Sequence, residues 1–257
     1  MRDRVFFRMT KNSPHTMSVP GFDGTEPANP RILMSTREAG AMTYIPNYGN
    51  PRRNVWLSEN GIDPQDCQAL TLEHGKTIHC IDKPVQRPLE LTGDGIMLSP
   101  GSGLHSCAVT VADCMPIFII DKQLGTITVL HSGFKGTGIL DKALEILILT
   151  YGCNPKNLHV VLGPHIQACC YDIDRVRAES FSLEFGSESV LQRNGKFFAD
   201  LRAANIAIAE KFGIGAIFAS NQCTSCNAEF GSFRREGAEH FTRMLAVIEF
   251  PAQRSNQ

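Results

Sequence analysis

The segment PIFIIDKQLGTITVLHSGFKGTGIL, residues 116–140, contains the pattern that decides the fold. Two runs rich in β-branched residues, 116–121 and 125–131, flank a short polar segment, which is typical of a β-hairpin. A glycine-rich loop follows, and then the apolar-periodic run ILDKALEILILTYG, which predicts a helix that ends at Gly152. The sequence therefore predicts a hairpin that leads directly into a helix.

Strand and helix patterns alternate on both sides of this segment. Residues 105–114, 157–163 and 216–220 have the composition of strands, whereas residues 199–213 have the apolar spacing of a helix. Hairpins occur together with crossovers in this order of elements. The chain is therefore expected to belong to the α+β (mixed α/β) class, as a single-domain sandwich with mixed sheets.

The two ends of the chain differ in composition from its centre. Proline, serine, asparagine and glycine are frequent in residues 10–31, which predicts an irregular N-terminal arm over residues 1–30. Residues 251–257 are polar and are expected to form a frayed tail. No linker pattern interrupts residues 31–250, so we expect them to form one domain.

Composition excludes several classes of partner. The formal net charge is −1, so neither nucleic acid nor a membrane surface is expected to bind. No run of eighteen apolar residues is present, and charges occupy the region where a signal peptide has its apolar core. Nine cysteines, an odd number, do not suggest a disulfide framework. We therefore expect a cytoplasmic protein with reduced thiols.

The predicted hairpin brings a cysteine close to a histidine. With a turn centred near Gln123, Cys114 lies within one residue of the position opposite His131, and cross-strand Cβ atoms are about 4.5–5.5 Å apart. Cysteine and histidine are ligands that zinc prefers. The pair could therefore share a metal ion or form a thiolate–imidazole pair, although each residue alone is also compatible with ordinary packing.

A catalytic zinc ion usually has three protein ligands, and the segment LEHGKTIHC offers two further histidines. His74 precedes a glycine, so it is expected at a turn from which its ring can project into a cleft. His79 lies within a β-rich run and is expected to face along a strand.

Other polar motifs allow more than one interpretation. The loop GFKGTG matches neither a P-loop nor a dinucleotide fingerprint. The amide groups near Gly138, with Lys135, could bind an anion, or the glycines could serve strand–helix packing. Arg234 and Arg235 could be a second anion contact or a solvated turn.

The remaining cysteine motifs are expected to be structural. CTSC, residues 223–226, has CxxC spacing without a second CxxC to complete a zinc ribbon. Cys169 and Cys170 are adjacent, so both cannot face one site from a strand.

Several ordered motifs resemble those of the YfiH family, also called the laccase-domain or polyphenol-oxidase-like family. The resemblance covers roughly residues 30–250, and its motifs are STREAG (35–40), EHG (73–75), GDGIM (93–97), VADCMP (111–116), HSGFKGTGIL (131–140), GPHIQACCYDI (163–173), ADLRAAN (199–205) and CTSCNAEFGSFRREG (223–237).

This resemblance implies an αββα-type sandwich, a catalytic domain over residues 31–250 and one mononuclear metal site, usually zinc. It implies His74, Cys114 and His131 as the metal ligands and catalytic residues, and so favours His74 over His79. The implied activities are phosphorolysis of adenosine, inosine, guanosine and methylthioadenosine, together with deamination of adenosine. Nucleoside and phosphate are the implied small-molecule partners.

The chain also departs from the family pattern. Phe134-Lys135 replaces the usual Trp-Arg, and lysine lacks the bidentate fork that arginine offers to phosphate. We place Arg37 and Lys135 near the phosphate as an expectation.

Two other enzyme classes stay open. A metal-free thiol hydrolase or amidase would use Cys114 as nucleophile and His131 as base. A copper-dependent polyphenol oxidase is less favoured, because several copper ions need many histidines and the chain has eight. Copper in place of zinc is likewise the less favoured metal. A non-enzymatic binding role would require these side chains to lie away from any cleft.

Overall fold

The protein is described by a computed structural model that covers residues 3–25, 29–46, 49–85 and 89–250. Strands in this part of the chain form two large and two small sheets. The strands are β1 (Asp3–Phe7), β2 (Thr10–Ser13), β3 (Thr16–Asp23), β4 (Arg31–Ser35), β5 (Cys67–Gln68), β6 (Thr71–Leu72), β7 (Ile78–Ile81), β8 (Thr92–Gly93), β9 (Gly95–Leu98), β10 (Ser106–Val111), β11 (Met115–Asp121), β12 (Thr126–Ser132), β13 (Leu158–Leu162), β14 (Asp172–Ile173), β15 (Val190–Arg193), β16 (Lys196–Ala199), β17 (Ala216–Ser220) and β18 (Met244–Glu249).

The α-helices in the described residues are α1 (Pro51–Glu59), α2 (Ile139–Glu145), α3 (Arg175–Phe185), α4 (Leu201–Lys211) and α5 (Phe233–Glu236). A π-helical turn, Ile146–Thr150, continues α2 toward Gly152, which has a φ of 69°. The helix predicted after the glycine-rich loop is therefore confirmed, with a wider last turn. Asn50, Asp174 and Asp200 cap the first turns of α1, α3 and α4 through their side-chain oxygens.

The predicted hairpin forms the centre of the seven-stranded sheet, whose order is β1-β17-β13-β11-β12-β9-β7. β11 pairs antiparallel with β12 and β13, whereas β13 pairs parallel with β17. The sheet is therefore mixed, as the combination of hairpins and crossovers predicted. A six-stranded sheet of order β2-β3-β4-β18-β10-β5 is the second large sheet.

Side chains of the central strand β11 alternate between two cores. Phe118 and Ile120 join the cluster shared with the six-stranded sheet, whereas Ile117 and Ile119 join the cluster that contains residues of α2 and α4. This two-residue period is the geometry of a strand buried on both faces. Both strands of the hairpin are buried along their whole length, because neither of their faces is exposed to solvent.

A further layer covers the outer face of the six-stranded sheet. Trp56 and Leu57 of α1 pack with Leu33 and Val247 of that sheet. The order of layers is therefore helices, seven-stranded sheet, six-stranded sheet and helix. The predicted mixed αββα sandwich in a single domain is confirmed.

The N-terminal segment differs from the irregular arm predicted for residues 1–30. β1 pairs parallel with β17 at the edge of one large sheet, and β3 pairs antiparallel with β4 in the other. Met17 and Val19 are buried in the core between the sheets. Prolines and glycines are tolerated here because the strands are interrupted by an irregularity between Ser18 and Asp23.

The polar tail predicted for residues 251–257 lies outside the described residues. In the part of the chain that is described, none of the helices combines the length and apolar character needed to cross a membrane.

Candidate metal centre

The hairpin register places Cys114 two positions away from direct opposition to His131, one more than the sequence predicted. Pro116 is opposite His131 and Met115 is opposite Ser132, so Cys114 precedes the first paired residue of β11. Asp113 has a φ of 80°, which turns the chain immediately before the strand. Residues two positions apart share a face of a strand, so the side chain of Cys114 can lie on the same side as His131.

His74 approaches the same point from a turn between β6 and β7. Its φ of 59° lies in the left-handed region, which histidine adopts more readily than most residues. The amide groups of His74 and Gly75 both donate to the carboxylate of Asp94, at 2.9 and 2.6 Å. The turn is therefore held in this conformation by one buried acid.

The three predicted ligands converge. One ligand atom from each of His74, Cys114 and His131 lies within 4.8 Å of the other two. The imidazole rings of His74 and His131 are 4.9 Å apart between centroids and nearly perpendicular, at 86°. His79, the alternative ligand, is directed elsewhere, because its Nε2 contacts the carbonyl oxygen of Thr92 at 2.8 Å.

Asp94 orients the buried histidine. Its Oδ1 lies 2.9 Å from Nδ1 of His131, and its main-chain oxygen accepts from the amide of His131 at 2.7 Å. An ionised carboxylate can only accept a hydrogen bond, so Nδ1 of His131 carries a proton and Nε2 is the nitrogen available to bind a metal. A carboxylate behind a histidine is the usual support of a metal-ligating imidazole.

The groups around His131 favour its protonated, positively charged form. Burial opposes the charge on His131, but Asp94 and Cys114 outweigh it and raise the pKa of this histidine to about 9. Burial is also the largest effect on Asp94, yet His131 and the amide of Gly75 lower the pKa of its carboxyl. The pKa of His74 is lowered, mainly by burial and by His131, which leaves a neutral imidazole.

Asp113 is a second buried carboxylate, and it fixes the chain just before Cys114. Its Oδ1 accepts from the hydroxyl of Thr224 at 2.6 Å. Its Oδ2 accepts from the hydroxyl of Ser232 at 3.0 Å and from the amide of Arg234 at 2.7 Å. The C-terminal motif therefore secures the position of the cysteine ligand.

The glycine-rich loop forms a wall of the site. A Cβ atom on Gly133 would lie 2.7 Å from the Sγ atom of Cys114, and one on Gly136 would lie 3.0 Å from the carbonyl oxygen of Gly75. Side chains at these positions would collide with the cysteine ligand and with the turn that carries His74. Of the two interpretations of this loop, close packing is the one these contacts favour.

The ligands open onto a cavity of about 540 Å³. Its lining includes the aromatic side chains of Tyr44, Tyr171, Phe233 and Phe241 and the cations Arg234 and Arg243. Burial raises the pKa of Tyr171 to about 12, so its hydroxyl stays protonated and can donate a hydrogen bond. The cavity thus offers flat apolar surfaces and positive charge beside the three ligands.

The two residues expected near phosphate lie outside the lining of this cavity. Arg37 lines a different cavity, and its Nη1 is 3.9 Å from Glu236 Oε1. Lys135 is exposed, although its charge contributes to the lowered pKa of His74. Phe134, its neighbour, stacks on Phe181 of α3 at 5.0 Å between ring centroids.

The sequence patterns assigned no role to several residues of the site. Asp94 and Asp113 are single acids within apolar segments. This pattern fits a residue that orients another side chain, but it does not identify which side chain is oriented. Arg243 has no motif around it that indicates a cavity. Arg235 does not line the cavity, and its guanidinium instead donates to the carbonyl oxygens of Thr224, Ser225 and Asn227.

The donor set suits a transition metal ion. Two imidazoles and one thiolate are the ligand types that zinc binds, and three ligands leave one tetrahedral position for water or substrate. Asp94 supports the imidazole of His131 from behind, and the cavity provides access. The residues present therefore fit the metal that the family resemblance implies.

Comparison with known proteins defines the class of protein. The family model described as multi-copper polyphenol oxidoreductase laccase matches residues 49–251, and the chain belongs to this laccase-like family, the YfiH family. Two solved structures share its fold: the hypothetical protein YfiH of Bacillus licheniformis and YlmD of Geobacillus stearothermophilus. Each has a TM-score of 0.79 at 22% identity and covers 94% of this chain and 98% of its own.

Curated relatives carry names from nucleoside metabolism. A purine nucleoside phosphorylase of Deinococcus radiodurans is 32% identical over 194 residues, which span 74% of this chain and 73% of that protein. Adenosine deaminase RL5, from an unknown prokaryotic organism, is 34% identical over 137 residues, which span 50% of this chain and 52% of that protein.

Proposed function

We propose that this protein is a zinc-dependent purine nucleoside phosphorylase that also deaminates adenosine. The observation that carries the proposal is the convergence of His74, Cys114 and His131 on a cavity lined with aromatic and arginine side chains. The names of the relatives support the substrate class. The proposed substrates are adenosine, inosine, guanosine and methylthioadenosine, with phosphate as the second substrate.

The cavity has a suitable size and chemistry for a nucleoside. Small-molecule sites are about 300–1,000 Å³, and this one is about 540 Å³. A purine is flat and apolar on its faces, so Tyr171, Phe233 and Phe241 can stack against it. Arg234 and Arg243 offer positive charge for phosphate. The guanidinium of Arg234 is also held by Asp172 and by the carbonyl oxygen of Cys170, so Arg243 is the freer of the two to bind.

A zinc ion held by His74, Cys114 and His131 would supply Lewis acidity and lower the pKa of a water molecule. The chain's own residues perform the remaining tasks. Asp94 keeps the proton on Nδ1 of His131 and fixes the ring. Arg243 holds a phosphate oxygen for attack on C1′ of the ribose. The C1′–N9 bond breaks and its electron pair stays on the purine, which takes up the proton that the attacking phosphate releases. The hydroxyl of Tyr171 can hydrogen-bond the base.

Deamination would use the same cavity with water in place of phosphate. Water adds at C6 of adenosine and ammonia leaves, which yields inosine. Because the two reactions consume different nucleophiles, phosphate controls the balance between them. Phosphate is therefore expected to favour release of adenine at the expense of inosine.

Chromatography of the products tests the proposal. The zinc-loaded protein is incubated with adenosine with and without phosphate. Adenine and ribose 1-phosphate should form only with phosphate, whereas inosine should form in both conditions. Loss of both activities in Cys114→Ser, with an unchanged circular dichroism spectrum, would connect them to the site. Absence of both products from protein that holds zinc would refute the proposal.

One further observation favours the thiol hydrolase as a second candidate. Cys114 contacts His131, and Asp94 lies behind the imidazole, which is the order of a nucleophile, a base and an orienting acid. Such an enzyme would be indifferent to chelators. The zinc enzyme should instead lose activity on metal removal and regain it when zinc is added.

A further inference from the structure

A second cluster of metal-binding residues lies outside the His74 site. One Sγ atom from each of Cys169, Cys170, Cys223 and Cys226 lies within 4.8 Å of the other three. Cys226 Sγ is 3.6 Å from that of Cys169 and 3.3 Å from that of Cys170. We propose that these four cysteines bind a structural zinc ion.

The sequence suggested that adjacent cysteines cannot face one site, and that expectation is wrong here. Residues 168–170 form a turn rather than a strand, so the alternation of side chains that separates neighbours in a strand does not apply. Cys223 and Cys226 supply a CxxC pair from a second turn. The second cysteine pair, which the sequence pattern lacked, is therefore supplied by the consecutive residues Cys169 and Cys170.

The sulfur separations match a single tetrahedral ion. With Zn–S bonds of about 2.3 Å, the sulfur atoms of a tetrahedral site are about 3.8 Å apart. The observed separations of 3.3 and 3.6 Å and the upper limit of 4.8 Å bracket this value. An iron–sulfur cluster would need wider spacing, since its cysteines bind different iron atoms. A disulfide needs sulfur atoms about 2.05 Å apart and would leave two thiols over.

Backbone amides already surround the buried member of the cluster. The amide of Gln167 donates to Cys223 Sγ at 3.4 Å, and the amides of Ser225 and Cys226 also donate to it. Amide donors directed at a sulfur atom stabilise a thiolate, which is the form that binds metal.

Four protein ligands leave no open position, so this ion would be structural and not catalytic. It would join two turns that frame the cavity of the first site. Cys170 precedes Tyr171 in the cavity wall, and Cys223 precedes Thr224, which donates to Asp113. The ion would therefore fix the cavity wall at Tyr171 relative to the Thr224–Asp113 hydrogen bond that supports Cys114.

Zinc counting tests this inference independently of any nucleoside activity. Elemental analysis of the full chain, purified without chelators, should give about two zinc ions per chain. Cys226→Ser should hold about one, and so should His74→Gly, in which glycine accepts the positive φ. Cys80→Ser changes an exposed cysteine outside both clusters and should keep both ions.

X-ray absorption of zinc-loaded His74→Gly provides a test that leaves all cysteines in place. The spectrum should show four sulfur neighbours at about 2.3 Å and no nitrogen. Absence of zinc from this variant, iron in the site, or a Cys170–Cys226 disulfide in unreduced wild-type protein would each overturn the inference. A zinc content of Cys226→Ser equal to that of the wild type would do the same.

Discussion

Nδ1 of His131 lies 2.9 Å from Oδ1 of Asp94, and both side chains are almost completely buried. The same carboxylate accepts the amides of His74 and Gly75. One acid therefore fixes the orientation of one ligand and the backbone of another. This arrangement makes Asp94 a positioning residue for the whole centre.

Replacement of Asp94 by asparagine should weaken zinc binding about 10–100-fold, the usual cost of losing a carboxylate behind a ligating histidine. The amide is similar in shape but cannot accept both the imidazole and two backbone donors. Competition with a chromophoric chelator measures the affinity. Asp121→Asn is the matched control, because Asp121 is a buried acid that also accepts two amides, at the far end of β11. Equal affinities in the two variants would contradict the role assigned to Asp94.

Gly133→Ala should reduce zinc affinity without removing a ligand. The new methyl group would lie 2.7 Å from Cys114 Sγ and displace it. Gly163→Ala is a steric control, because its Cβ would meet the ring of Pro116 at the same distance. Both variants are expected to lose stability in thermal melts, at a cost of roughly 1–3 kcal/mol. A normal zinc content in Gly133→Ala would show that the loop does not constrain the cysteine.

His74→Gly should lower turnover of adenosine and inosine at least ~100-fold, since a metal that loses one of three ligands is bound more weakly and held less rigidly. His79→Ala is the control from the same segment. The ring of His79 contacts Thr92 and lies outside the metal cluster, so turnover should be close to that of the wild type. Steady-state kinetics with zinc in excess separates the two histidines.

Arg243→Gln should raise the KM for phosphate roughly 10–100-fold, because a charge-assisted hydrogen bond contributes about 1.5–3 kcal/mol. Arg37→Gln tests the expectation drawn from the sequence. If Arg37 contacts phosphate, its variant should show the larger increase. Arg37 lies outside the lining of the cavity that holds the three ligands, so we expect the smaller effect there. The KM for adenosine in deamination should change little in either variant.

His165 should make stability depend on pH. It is fully buried, its Nδ1 contacts the carbonyl oxygen of Gly163, and burial lowers its pKa to about 4. The unfolded chain takes up a proton near pH 6.5 and the folded chain only near 4, so stability falls as pH falls through this window. Between pH 6 and 5 the wild type should lose up to about 1.4 kcal/mol more than His165→Asn. Denaturant titrations at each pH measure the difference, and identical slopes would contradict it.

The hairpin and the mixed sandwich could be predicted because they depend on local patterns, whereas the layer order followed from the family resemblance. The apolar runs of β11 and β12 and the period of α2 are visible in consecutive residues, and the turn between the strands limits the register to within one residue. The N-terminal strands could not be predicted. They are stabilised by pairing with distant strands, as β1 is with β17, and their own composition resembles a loop.

The candidate metal ligands were accessible from sequence for a similar reason. Cys114 and His131 are joined by a hairpin, so their proximity follows from local geometry, and His74 follows from its family motif. Of the two cations in the cavity, Arg234 stands in a motif that suggested an anion contact, whereas Arg243 was not accessible, since it reaches the cavity through the pairing of β18 with β10. Arg37 belongs to a conspicuous motif, yet the fold directs it to another cavity.

The sequence by itself determined the mixed sandwich, the central hairpin and the proximity of Cys114 to His131, because periodicity, turn composition and residue type are local properties. The choice of His74 as the third candidate ligand came from the family resemblance. Only the tertiary structure decided which acid supports the ligands, which arginines line the cavity and that Cys169 and Cys170 meet Cys223 and Cys226. These relationships join residues that are tens to more than a hundred positions apart. Their distances depend on how the layers pack, which no local pattern encodes.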